Sequence, residues 1–135
     1  MHTTNYQNAF IEVADDCPVT AAAIPPQKMA DKTIANIQFE MMAEHPYQFT
    51  SDEVIFKGYA IKNQLTSNLE QEREQFFSKG QACLRTSPLS KRYGWGIHHN
   101  EAGKVALYPV ESAEYQDFIQ DPNVKKVKAM RSSRK

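Results

Sequence analysis

The chain has 135 residues, 41% hydrophobic and 24% charged, the proportions of an ordinary globular domain able to bury about two-thirds of its unfolded surface. No run approaches the roughly 20 apolar residues of a membrane helix, and Met1-His2-Thr3-Thr4-Asn5 lacks the positive region and apolar core of a secretion signal; no membrane partner is expected, and cytoplasmic residence is. Net charge is zero but uneven: Lys125, Lys126, Lys128, Arg131, Arg134 and Lys135 crowd the end, leaving ten basic against sixteen acidic groups over residues 1–124. The basic end can attract phosphates or nucleic acid and is equally a solubilising tail, while the acidic body weighs against nucleic acid as a partner.

In chain order, Ala9–Ala14 is a short β-prone run closed by Asp15-Asp16-Cys17-Pro18. Residues 15–32 form a proline-rich loop, long for a compact domain, which is either a surface crossing or a lid. Thr33–Glu44 is predicted as a helix, with Ile34, Ile37, Met41 and Met42 at helical spacing, and Pro46 ends it. Thr50 and Glu53 form a capping box, with Phe49 and Val54 placed as a hydrophobic staple. The helix they open runs to about Asn63. Gly58 interrupts its apolar stripe at a cost of about 1 kcal/mol against alanine, which predicts a close helix contact there.

Ser67 and Glu70 repeat the capping-box pattern and open a third helix, predicted to stop at Gly80 with Leu69, Phe76 and Phe77 facing inward. Gln81–Thr86 reads as a strand and Thr86–Ser90 as a turn. The next stretch holds the single tryptophan and three of the five glycines. It reads as a hairpin: a strand near Tyr93–His99, a turn at Asn100–Gly103, and a strand near Lys104–Tyr108. Gly94 and Gly96 flank Trp95, marking a bulge or a close approach to the backbone. Ser112 caps a helix to about Gln120, Val124–Met130 is a last strand, and residues 131–135 are the basic tail. The order β-α-α-α-β-β-β-α-β predicts one α+β domain over residues 1–135, its N-terminal helices packed on a largely antiparallel sheet. An edge position for the last strand would let it pair with a second copy unless its lysines prevent that.

Several stretches carry a resemblance: Phe10-Ile11-Glu12-Val13-Ala14, His45-Pro46-Tyr47, Ser51-Asp52, Ser78-Lys79-Gly80-Gln81, Ser87-Pro88-Leu89, Lys91–His98 and Lys128-Ala129-Met130-Arg131-Ser132. Over nearly the whole chain they resemble a bacterial family of small single-domain proteins, a domain of unknown function. The resemblance implies a compact soluble protein and carries no activity, substrate or catalytic residue with it.

The chemistry left to the residues themselves is sparse. Cys17 and Cys83 form no CxxC pair. His98 and His99 point to opposite sides of a strand and cannot readily share an ion, so no metal is expected. Gly94-Trp95-Gly96 lacks the helix start of a phosphate-cradling loop, and no cofactor motif appears. What remains is a polar and aromatic set around the hairpin: Arg85, Lys91, Arg92, Trp95 and His98. Guanidinium and ammonium donors beside a stacking surface suit a small anionic or aromatic ligand. Strand alternation puts Tyr93, Trp95, Ile97 and His99 on one face and His98 on the other. Two further readings are a nucleic-acid module using the hairpin and basic end, and a small enzyme using Cys83 with His98.

Overall fold

The structure is a computed structural model and describes residues 2–27 and 32–132. Its elements are β1 (Ala9–Glu12), α1 (Ile34–Glu44), α2 (Ser51–Lys62), α3 (Leu69–Phe76), a 3-10 turn (Leu84–Thr86), α4 (Pro88–Lys91), β2 (Trp95–His99), β3 (Val105–Pro109), α5 (Ala113–Gln120) and β4 (Lys125–Lys128). The four strands make one sheet in the order β3-β2-β1-β4. Two of its pairings are antiparallel, β1 with β2 and β2 with β3, and β4 lies parallel to β1. Helices then strands around a mixed sheet make this an α+β fold.

Local sequence explains the two long helices. Thr33 caps α1 through a reciprocal bond pair with Asn36, and Thr50 caps α2 with Glu53 in the same way, each pair satisfying amide groups that have no partner inside the helix. The two helices approach closely where Gly58 has no side chain: a Cβ there would lie 3.3 Å from Ile34 Cδ1. The N-terminal segment is tied to the start of α2. Asp52 accepts bonds from the Thr4 amide (2.6 Å), the Thr4 hydroxyl (2.7 Å) and the Thr3 hydroxyl (2.6 Å). Its own amide donates to Asn5 Oδ1. A buried carboxylate with three donors meets the requirement that buried charge be hydrogen-bonded.

One face of the sheet carries Ile11, Ile97, Val105 and Leu107 into a core with Met42, Val54, Leu84 and Leu89. The hairpin register pairs Trp95 with Pro109 and His99 with Val105, and Asn100 and Gly103 close its turn through a 3.0 Å backbone bond with Gly103 at φ +78°. The free edge of β3 is covered by the segment after α1, since Tyr47 donates to Val105 O and Val105 to Phe49 O, both at 2.9 Å.

Three local expectations differ. Ser67 does not cap α3; Asn68 does, in a left-handed conformation with no side-chain bond. The helix stops at Phe76, four residues before Gly80, and buries none of its residues, Leu69 included. In place of a strand at Gln81–Thr86 there is the 3-10 turn, and the expected turn at Thr86–Ser90 contains the start of α4, where Ser87 caps and Pro88 occupies the first helical position. The loop after β1 is a surface crossing held down at several points. Ala23 donates to Tyr93 O and accepts from Trp95 Nε1, while Asn36 Nδ2 donates to Pro25 O. It also fills the space beside Gly94, where a Cβ would meet Val19 Cγ2 at 3.0 Å and the backbone at φ +81° favours glycine. Residues 28–31 of that loop and 133–135 of the basic tail lie outside the described residues.

Candidate functional site

The outer face of the hairpin, opposite the helical core, is where polar chemistry gathers. Across the four strands the register aligns Ala106, His98, Phe10 and Lys126 in one row, and Tyr108 stands opposite Gly96 in the next. The α5 helix covers part of this face with aromatic rings, because Ser112 caps it and the spacing of Tyr115 and Phe118 puts both on its inner side. Phe118 stacks on His98 (4.1 Å between centroids, 21° between planes) and on Phe10 (4.9 Å, 21°), and meets Tyr108 edge-on at 4.9 Å. Gly96 has to be glycine here: a Cβ would come within 2.7 Å of Tyr115 Cε2 and closer still to Phe10 Cζ.

His98 is half-buried, and its Nδ1 shares a 2.8 Å hydrogen bond with the Tyr47 hydroxyl. The same hydroxyl lies 2.7 Å from the hydroxyl of Tyr108. Tyr47 arrives from the far side of the edge strand. Pro46 breaks α1, Tyr47 takes φ +60°, and its phenol reaches the outer face of β3. An aromatic residue in the left-handed region costs on the order of 1–3 kcal/mol and persists only where the surroundings impose it. Here two backbone bonds and two side-chain bonds do so.

Burial pushes the His98 imidazole below its ordinary value, with a smaller upward pull from Asp121. The Tyr47 phenol is pushed well up, first by burial and then by its bond to Tyr108. At neutral pH His98 and Tyr47 are therefore uncharged, and the protons of the chain have two consistent arrangements. In one, Tyr108 donates to Tyr47 and Tyr47 to His98, leaving Nε2–H as a free donor. In the other the chain runs in reverse and Nε2 offers a lone pair. Nε2 has no hydrogen-bond partner among the described residues. At the edge of the site, Lys126 Nζ donates to the carbonyl of Asp121.

The residues expected from sequence do not converge. Trp95 faces the helical side, its indole donating to Ala23 O at 2.8 Å and lying edge-on to Phe39. Arg85 sits on the 3-10 turn, its Nε bonded to Lys128 O at 2.6 Å. Lys91 ends α4 and Arg92 is its exposed cap. His98 alone belongs to the polar cluster. Cys83 bonds not to His98 but to the Tyr6 hydroxyl at 3.4 Å, and both cysteines are free thiols. Tyr47, Tyr108 and Phe118 complete the cluster, and none of the three is among the site residues that the sequence suggests. Alternation along β3 could have placed Tyr108 on the His98 face, whereas nothing local announces Tyr47, 51 positions away. Among the described residues, no group of three or more potential ligand side chains is placed to hold a metal ion, and no helix is long and apolar enough to cross a membrane.

A family model described as a family of unknown function, DUF6157, matches residues 1–135. The chain belongs to DUF6157. No curated protein and no solved structure matches it. The match spans both partners of the central hydrogen bond in this DUF6157 chain, Tyr47 and His98, but its description attaches no chemistry to them.

Proposed function

We propose that this DUF6157 domain binds a small anionic or aromatic ligand at the outer face of its hairpin. His98, Tyr47 and Tyr108 supply the polar contacts, and Phe118 the ring against which the ligand lies. The single observation that carries this reading is the Tyr47 hydroxyl held between His98 Nδ1 and the Tyr108 hydroxyl by a backbone in the left-handed region. A strained residue maintaining a neutral, half-buried hydrogen-bond chain with one free ring nitrogen is an arrangement suited to recognition. The ring nitrogen can present a donor or an acceptor as the bound group requires.

A second reading follows from the same atoms. An imidazole kept neutral at pH 7 and backed by two phenols is a general base with a proton relay, so an acid–base enzyme is the alternative.

The test is a thermal-shift screen of anionic metabolites, nucleotides and aromatic acids against wild type, Tyr47→Phe and His98→Ala. A ligand of this site stabilises wild type and loses most of that shift in both variants. Because Trp95 lies on the other side of the sheet, such a ligand leaves the indole fluorescence nearly unchanged. A ligand that stabilises all three proteins equally, or that strongly quenches Trp95, places binding elsewhere.

A further inference from the structure

We propose a second site, independent of the hairpin face: the groove between α1, α2 and α3, which takes a free amino acid with an apolar side chain. The groove has a volume of about 440 Å³, within the range of small-molecule sites. Its apolar lining is Met41, Phe49, Phe56 and Leu69. Leu69 is 45% exposed on a helix that buries none of its residues. A leucine left open in an apolar lining loses the transfer free energy that covering it would recover.

The charges along the groove select the ligand. Glu44 comes from the end of α1, Lys57 from α2 and Arg73 from α3. These three form no ion pair with one another: Lys32–Glu40 and Lys128–Asp15 are the ion pairs among the described residues. Glu40 is thus engaged by Lys32, and Glu53 accepts the Thr50 amide. The Arg73 guanidinium lies 5.7 Å above the Phe77 ring instead of on a carboxylate. Opposite charges that border one groove without meeting leave room for a dipolar group between them. An α-ammonium can bind Glu44 while the α-carboxylate takes Arg73 and Lys57, and the side chain covers Leu69 and Phe56. A simple acid would leave its repulsion with Glu44 uncompensated. A simple amine would do the same with the two cations.

Calorimetric titration distinguishes these cases with L-phenylalanine, 3-phenylpropionate, which lacks the ammonium, and phenethylamine, which lacks the carboxylate. Proteins to compare are wild type, Glu44→Gln, Arg73→Gln and His98→Gln; Glu44 is exposed and Arg73 only half-buried on an exposed helix, so the fold tolerates both changes. The expected result is saturable phenylalanine binding at least about tenfold tighter than either analogue, weakened about tenfold or more in Glu44→Gln and in Arg73→Gln. Binding in His98→Gln should be unchanged. No saturation up to about 10 mM, a free energy weaker than about 3 kcal/mol, overturns the proposal. So does equal binding of all three compounds, or binding that survives Glu44→Gln and Arg73→Gln intact.

Discussion

His98 and His99 are neighbours in the chain with opposite surroundings, because alternate residues of a strand face opposite ways. His98 stands at the outer face with a phenol on Nδ1, and His99 is fully buried on the core side with neither ring nitrogen hydrogen-bonded. The Tyr6 and His99 rings meet edge to face with their centroids 5.3 Å apart. Burial pushes the His99 imidazole down to about 4; the backbone at Ile97 and Ala9 pulls upward without forming a good hydrogen bond. A base whose folded pKa lies below its unfolded value of about 6.5 makes the unfolded state the better proton acceptor. Its contribution to stability is complete above pH 6.5 and is lost as pH falls toward 4, by about 3 kcal/mol across that window. Urea unfolding at pH 7.5 and at 4.5 reads this loss, to which lowered His98 adds in the same direction. His99→Leu should remove the larger part of the slope. An unchanged slope in that variant would assign the acid sensitivity to other groups.

At the scale of elements, the features that local sequence controls are those that appear where expected. Thr50 and Glu53 cap α2, Ser112 caps α5 by accepting the Tyr115 amide at 3.1 Å, and Asn100–Gly103 turns the hairpin. Short-range bonding suffices for each, so a window of four or five residues contains the cause. The α3 helix differs in part: Phe77 just past its end is buried and Phe76 packs on Phe56 and Tyr59 as expected, but Leu69 looks into the groove and Asn68 takes the cap position from Ser67. Segment 81–86 has strand-like composition but no strand to pair with, and folds as a 3-10 turn. Gly58 gives the element scale its prediction. The nearest obstacle to a Cβ is the end of the partly exposed Ile34 side chain, at 3.3 Å, which can shift by a few tenths of an ångström. Gly58→Ala should therefore recover part of the helix-propensity difference and stabilise the protein by roughly 0.5 kcal/mol, as read by chemical denaturation. A loss of more than about 1 kcal/mol would mean that the α1–α2 contact is rigid at this point.

For the whole molecule, strand alternation was enough to foresee that Trp95 and His98 lie on opposite faces and that the apolar set around Trp95 meets the helices. It did not foresee what covers the outer face. Gly96 marks a close approach to the backbone, but the groups that make it, Phe10 and Tyr115, are not legible in the hairpin, because α5 folds back over a surface that the hairpin alone leaves bare. The contacts of Tyr47 are invisible for the same reason, since they depend on the chain after α1 running along the edge of β3. Position in the fold, not residue type, turns a histidine and two tyrosines into one hydrogen-bonded unit. The most direct test of that unit is an NMR titration of the His98 imidazole nitrogens in wild type and in Tyr47→Phe. The structure predicts that His98 titrates below 6.5 and that removing the Tyr47 hydroxyl shifts the Nδ1 resonance while the Trp95 indole signal stays in place. A His98 that titrates at its ordinary value, with an Nδ1 resonance indifferent to Tyr47→Phe, would contradict the account.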